Sequence, residues 1–495
     1  MIPVLSVSAM RRSDAQTIAG GVPSRDLMYR AGEAIFRAIP RRAPVAIACG
    51  SGNNAGDGYV LASFLQQSGI PCTLFLLEDR FSADGAFYFG KCREQKIPVE
   101  YFDENTSFAP FATVVDCLFG TGFHGRAEGL YARAIDAINQ SGAFVVSVDI
   151  NSGLNGDNGC GTPCVISDLT VSVGSFQPGH YLNRAKDVMK AKINCDIGIA
   201  PCEKPYGLME RADAAACFPT RKNDANKGSY GYAALLGGSL AYSGAIRLAS
   251  MANAAMRAGC GVVRIGAPRS LCPLLVPQIL ESTLSPLSDR DGQYQFDEAE
   301  LAALTAKCRA IAVGMGFGCT EETKRAVLWL MQNYSGTLIV DADGINALAE
   351  CGDAVWISRK APLLLTPHLG EFARLSKTDI AAVREAPIPH AQAFAKAHHA
   401  VVLLKGPTTV VTDGIDTILV DRGCGGMATA GSGDVLSGIL AAVCAANDNL
   451  LLAAAAGAYV NGLAGEIAEE KVGSVSMLAG DTVSAISQAI REIRG

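Results

Sequence analysis

The stretch from Gly426 to Gly438 joins a glycine-rich turn to one acidic residue, Asp434, at the head of an apolar helix. Val435, Leu436, Ile439, Leu440 and Val443 recur at helical spacing, which puts Asp434 in the first turn. Amides freed at Gly431 and Gly433, with the dipole of that helix, suit a polyanion such as a nucleotide phosphate. A carboxylate repels phosphate, so its chemical use there is as a base for a hydroxyl approaching the phosphorus. The competing use is a plain helix cap.

Other residues could complete such a site. Lys405, Gly406, Pro407, Thr408 and Thr409 follow an apolar run and offer an ammonium and two hydroxyls to phosphates. His368 lies just past another run and two carboxylates, Asp341 and Asp343, past a third. His368 and Glu371 have the spacing of a metal pair, but Pro367 and Gly370 should break the helix such a pair needs, so substrate contact is expected instead of zinc. His398 and His399 are expected at the surface. Gly237 to Ser239 and Tyr242 to Ala245 form a second glycine-rich turn able to close over a ligand.

A separate set occupies the N-terminal half: Asn53, Asn54 and Asp57 in the loop Gly50 to Gly58, Asp116 at the head of Asp116 to Gly122, and Asp149 in Val148 to Gly153. Three strands ending in oxygen-rich loops imply a shared pocket holding a cation or an acid/base group. The alternative is that these aspartates cap helices. The Gly50 loop reads G-x-G-x-x-x-G, one residue longer than the dinucleotide fingerprint, and Glu78 ends the next strand. Ordinary pyrophosphate binding is therefore not expected there.

Short apolar runs alternating with helical patterns must position these residues, as in parallel α/β folds. Strands are expected at Val45 to Cys49, Thr73 to Leu77, Thr113 to Val115 and Phe144 to Val148. A second series runs through Ala233 to Leu236, Val262 to Ile265, Ile311 to Val313, Leu338 to Val340, Leu363 to Leu365 and Val401 to Leu404. A hairpin follows, Thr409 to Thr412 and Ile418 to Val420. Pro201, Pro205, Pro219 and mixed charge mark a joint between residues 200 and 226, giving domains 1–205 and 206–495. At 495 residues and net charge −6, without a basic run, the chain reads as a small-molecule protein, not a nucleic-acid or membrane binder. The apolar stretch Leu450 to Val460 is too short to span a membrane, no signal peptide is legible, and a cytoplasmic protein is expected. The sixteen cysteines are expected to be reduced thiols.

Assembled, these residues resemble the bifunctional NAD(P)H-hydrate repair enzymes. The N-terminal half is similar to an NAD(P)HX epimerase domain through LMYRAG, GSGNNAGDG, DCLFGTG and VDINSGL. The C-terminal half is similar to an ADP-dependent NAD(P)HX dehydratase through NKGSYG, VDADGIN, TPHLGEFARL, LKGPTT and GMATAGSGDVLSG. The resemblance implies a Rossmann-like three-layer αβα domain followed by a ribokinase-like αβα domain. It implies small-molecule partners, NADHX or NADPHX and ADP or ATP, and a homo-oligomer is expected. Asn53, Asn54, Ala55, Gly56 and Asp57, with Gly120, Thr121, Gly122, Phe123, His124, Gly125, Arg126 and the catalytic Asp149, would hold the hydrate in the first domain. K+ is implied at Asn54, Asp116 and Ser152. In the second domain Ala245, Gly316, His368 and the catalytic Asp434 would contact hydrate, Lys405 to Thr409 and Gly433 would bind nucleotide, and Mg2+ would accompany it.

Departures from the family's pattern fall mostly in the N-terminal half: Ala55 for glycine, Asn151 for proline, Tyr29 for glutamate and Gln177 for lysine, against Asn226 for histidine in the other half. Two other functions stay open at this point. One is a ribokinase-like kinase for a small alcohol; the other gives the N-terminal domain a ligand-binding role without catalysis.

Overall fold

A computed structural model describes residues 1–251, 254–352, 354–357 and 359–495. The chain divides into two compact units, Pro3–Tyr206 and Met1–Ile2 with Gly207–Gly495.

The first unit is built on a parallel sheet with strand order Val99–Tyr101, Cys72–Leu76, Val45–Cys49, Thr113–Cys117, Phe144–Val148, Ser167–Val173, Met189–Cys195. Alternation along the central strands explains the three layers. Ile47, Leu74, Val115 and Val146 point to one apolar cluster with Ile35, Leu61 and Leu65, while Ala46, Phe75, Val114 and Val145 point to another with Ile135 and Ile138. Both faces being covered, the central strands read as near-continuous apolar runs, interrupted only by Thr73, Thr113, Asp116 and Ser147. The last two strands escaped the sequence reading because Ser167–Val173 and Met189–Cys195 interleave polar residues. The Gly50 loop is shorter than expected: the helix begins at Asn53 and runs to Gln67, so Asn53, Asn54 and Asp57 sit on its first turns.

In the second unit the sheet runs Tyr206–Leu208, Thr417–Val420, Thr409–Thr412, Val401–Leu404, Leu363–Leu365, Thr337–Val340, Ala310–Val313, Tyr232–Leu236, Val262–Pro268, Thr283–Leu287. The hairpin and its pairing with Val401–Leu404 apart, the strands pair parallel. One face, with Leu235, Ala312, Ile339 and Leu403, packs in a single core with helices Ser432–Ala446 and Leu450–Val472. That second helix corrects the sequence reading. It continues past Val460 and is long and apolar enough to cross a membrane, yet most of it is buried in this core. Small residues let it approach its neighbour closely: a Cβ at Gly457 would lie 2.7 Å from Leu440 Cδ2.

Candidate functional site

Each unit gathers its chemical residues beyond the C-terminal ends of its parallel strands, where open α/β sheets bind ligands.

In the first unit a cavity of about 610 Å3 lies there. Helix Val7–Ala19 gives it one face, since Val7, Met10, Arg11, Asp14 and Ile18 follow the 3.6-residue period. Asn53, Asn54 and Asp57 line it from the opposite helix start, and Gly120, Thr121, Gly122 and Phe123 from the loop after Thr113–Cys117. Asp149 lines it from the end of Phe144–Val148. The expected hydrate-binding set thus divides. Ala55 and Gly56 are buried in helix packing, and His124, Gly125 and Arg126 are exposed beyond the cavity lining.

Asp149 is held at three points. Its amide donates to Val171 O (2.8 Å), its Oδ2 accepts from the Thr121 amide (2.7 Å), and its carbonyl meets His180 Nε2 at 2.7 Å. Its φ of 66° is left-handed, a region that aspartate enters more readily than most residues, and these three contacts hold it there. His180 is fully buried, and burial pushes its pKa down to about 4, so it is neutral near pH 7. Its Nδ1 accepts from the Gln177 amide (3.0 Å), which leaves Nε2 as the N–H that donates to Asp149 O. Sequence reasoning missed His180, and it missed Asp14. Burial raises the pKa of Asp57, with Asp149 and Asp14 adding like charge, and burial likewise raises Asp149 and Asp14.

Asp116 is fully buried and saturated: Oδ1 accepts from Ser152 Oγ (2.5 Å) and the Leu118 amide (3.2 Å), Oδ2 from Ser147 Oγ (2.8 Å) and the Ser152 amide (2.9 Å). Asn54 Nδ2 donates to Phe119 O (2.8 Å) and Val148 O (3.2 Å), whereas its buried Oδ1 has no partner. An orphaned buried amide oxygen suits a hard cation, whereas the Asp116 oxygens are already held by four donors. The departure at Asn151 is absorbed structurally. Its side chain donates to Val165 O, Val188 O and Ser167 Oγ and accepts from Thr170 Oγ1, all at 2.6–3.0 Å.

In the second unit, Asp434 sits in the first turn of Ser432–Ala446, whose N-cap Gly431 has a φ of 94°. Burial, then the Asp341 charge, raise its pKa to about 7, partly offset by Lys405. Lys405 Nζ lies 2.9 Å from Asp341 Oδ1 and 3.8 Å from Glu371 Oε2. Burial alone would lower the lysine's pKa, but Asp341, Glu371 and Asp434 raise it. Ser437 Oγ donates to Asp341 Oδ2 at 2.7 Å. A Cβ at Gly433 would stand 3.6 Å from Lys405 Nζ and 3.8 Å from Asp341 Oδ2, so turn, ammonium and carboxylate converge.

Of the other expected nucleotide residues, Gly406 and Pro407 are exposed, Thr408 is buried with its hydroxyl on Asp421 Oδ1 (2.9 Å), and Thr409 opens a strand. Gly316, with a φ of 58°, packs on Tyr242 and Ala245, which brings two expected hydrate-contacting positions together. Gly370 does not break the helix as expected. His368 caps Leu369–Ser376, and His368 and Glu371 form a capping box, His368 Nδ1 accepting from the Gly370 amide (3.0 Å) and Glu371 Oε2 from the His368 amide (2.8 Å). His399 is exposed as expected, whereas His398 is half-buried, its ring packed on those of Trp356 and Phe394 at 4.4 and 4.3 Å. The sixteen cysteines are free thiols, and no group of three His, Cys, Asp or Glu able to hold a metal occurs among the described residues.

A Rossmann-like unit with a carboxylate cavity, followed by a unit with a carboxylate and an ammonium at a glycine-rich helix start, defines a two-site α/β enzyme. Residues 24–179 match the YjeF-related protein N-terminus, and residues 233–488 match the NAD(P)H-hydrate dehydratase family. The chain is 34% identical over 96% of its length to the bifunctional NAD(P)H-hydrate repair enzyme Nnr of Thermofilum pendens, covering 93% of that protein. Against the same enzyme of Escherichia coli it is 30% identical, covering 95% and 90%. It belongs to the family of bifunctional NAD(P)H-hydrate repair enzymes. Among solved structures, the ADP/ATP-dependent NAD(P)H-hydrate dehydratase of Bacillus subtilis, co-crystallised with ATP/Mg2+, superposes with a TM-score of 0.51 at 28% identity, covering 58% of this chain and 99% of that one.

Proposed function

We propose that the second unit dehydrates the S form of NADHX or NADPHX with ADP as phosphoryl donor, and that the first unit interconverts the R and S forms so that both are recovered. The observation that carries this reading is Asp434, a base poised near pH 7 beside Lys405 and the Gly431 to Gly433 turn.

Hydroxide is a poor leaving group, so the ring hydroxyl is first phosphorylated. Asp434 takes the hydroxyl proton as the oxygen bonds to the β-phosphorus and AMP departs. The phosphate then leaves with the C–O electron pair, a ring proton is lost, and the dihydropyridine double bond reforms. Lys405 and the helix amides stabilise charge on the transferring group. Magnesium, arriving on the nucleotide, would neutralise phosphate charge.

In the first unit, Asp149 and Asp57 are carboxyl groups whose raised proton affinity lets them hold and return the proton that inversion at the hydroxyl-bearing carbon requires. Asn54 Oδ1, Ser152 and Asp116 would hold potassium, a fixed positive charge among buried carboxylates. Asp116→Ala should abolish any potassium dependence of epimerisation, and equal rates in potassium-free buffer would remove the ion from this reading.

The direct test incubates the protein with mixed R and S hydrates plus ADP or ATP and follows recovery of reduced-nicotinamide absorbance. Full recovery of both forms is expected with ADP. No recovery with either nucleotide overturns the reading of the second unit, and recovery that stops once the S form is consumed overturns that of the first.

A further inference from the structure

The cluster beneath Asp434 contains more than the dehydration step has used. One ammonium, Lys405, faces three carboxylates from three elements: Asp341 at the end of Thr337–Val340, Glu371 on Leu369–Ser376, and Asp434 on Ser432–Ala446. Asp343 adds charge from the turn after Asp341, its Oδ2 accepting from the Gly318 amide at 2.7 Å, and His368 Nε2 lies 3.5 Å from Glu371 Oε1. The ion pairs that Lys405 makes are with Asp341 at 2.9 Å and Glu371 at 3.8 Å. Asp341 wins because it is fixed. Its side chain is 3% exposed, Ser437 Oγ donates to its second oxygen at 2.7 Å, and the left-handed Ala342 (φ 45°) locks the turn behind it.

A lysine paired tightly with Asp434 would neutralise the base that the reaction needs. We propose that Asp341 is a positioning residue for dehydration: clamped by Ser437, it holds the Lys405 ammonium beside the Gly433 turn and keeps it from pairing with Asp434. Lys405 and Asp434 then face the same phosphoryl group in complementary roles, one as cation and the other as proton acceptor. This rests on the reading of the second unit as the dehydration centre.

The test compares pH profiles of S-hydrate dehydration with saturating ADP for the full-length wild type, Asp341→Asn and Asp341→Glu. Titration of the nucleotide is common to all three proteins and cancels in the comparison. Removing the Asp341 charge takes away a like charge and releases Lys405 toward Asp434. Both changes lower the proton affinity of Asp434, so the acid limb of Asp341→Asn should move to lower pH by about one unit or more, with a reduced plateau. Asp341→Glu retains the charge and should keep the limb in place even if the plateau falls. A purely structural Asp341 would lower the plateau of both variants and move neither limb, and that result overturns the proposal. Should Asp341→Asn not fold, Asp341→Ser, smaller and likewise neutral, carries the same comparison. The two failures are distinguishable: a wild type that does not dehydrate the hydrate sinks the reading of the site, whereas a dehydrating wild type with an unmoved limb in the neutral variants sinks the Asp341 proposal alone.

Discussion

The two units place carboxylates at the same kind of position and give them opposite electrostatic company. In the first, Asp14, Asp57 and Asp149 line one cavity, and the neighbouring charges acting on Asp57 are both negative. In the second, Asp434 shares its surroundings with Asp341 and Asp343 but also with Lys405. Both clusters raise proton affinity by burial; Lys405 tempers it at Asp434, whereas Arg11 and Arg80 line the first cavity without offsetting the charge at Asp57. A site that moves protons can do without an ammonium, because its groups must be able to hold them. A site that moves a phosphoryl group needs a cation for the charge that develops on the oxygens. The backbone is strained alike in both: Asp149 itself is left-handed at a strand end, and Ala342 is left-handed immediately after Asp341.

The largest effects should separate the sites. Asp434→Asn keeps the helix start and removes the base, so dehydration should fall by about two to four powers of ten, while R/S interconversion continues. Asp149→Asn should do the reverse, leaving S-hydrate dehydration intact as the R hydrate accumulates. Chiral chromatography of both hydrates over time, with and without nucleotide, reads both variants. Dehydration at the wild-type rate in Asp434→Asn would remove the contrast.

Lys405 tests the cation directly. Lys405→Ala should weaken ADP binding about tenfold to a hundredfold, the worth of a charge-assisted contact, and should also lower the melting temperature because buried Asp341 loses its ion-pair partner. Hydrate binding should largely survive. Calorimetric titration with an ADP analogue, set beside the melting curve, checks both parts; unchanged affinity would move the phosphate site elsewhere.

Much of this was legible because buried parallel strands announce themselves. Val45–Cys49 and Val401–Leu404 are unbroken apolar runs, Phe144–Val148 is interrupted only by Ser147, and Asp149 and Lys405 follow such runs directly. The illegible parts depend on distant chain. Asp14 reaches the first cavity from a helix that precedes the first expected strand, and Ser437 reads as one polar residue inside an apolar helix. The half-burial of His398 is hidden because Trp356, one of the two rings packed on it, comes from a distant segment. Gly370 reads as a breaker, but a capping box outweighs one glycine in a first turn.

His180 is the most informative of the residues the sequence hid, since it acts on Asp149 through the backbone. His180→Phe keeps a ring of similar size but loses the donor to Asp149 O, so epimerisation should slow about tenfold through misplacement of the carboxylate, with dehydration of the S hydrate unchanged. His180→Gln, which can still donate, should recover part of the rate. Equal losses in both variants would make His180 a packing residue only.

The smallest effect is on stability, and it asks whether Asp57 goes without a compensating charge. Asp57 has a folded-state pKa raised by burial and by Asp149 and Asp14, so the native state binds more protons than the unfolded one. Its contribution is therefore most favourable below the unfolded pKa of about 4 and is lost as pH rises toward the folded value. Asp57→Asn removes that penalty. At pH 8 it should stabilise the first unit by about 1 kcal/mol, or about 2–4 °C for a unit of this size, at the expense of epimerisation. The gain should vanish near pH 4, where the native carboxyl is already neutral. Asp434→Asn should gain less, because Lys405 already offsets part of the charge there. Hydrogen exchange of amides in Val45–Cys49 and Ala310–Val313, measured at both pH values for both variants, reads each sheet separately. A larger gain in the second unit than in the first would reverse the electrostatic contrast between the two sites.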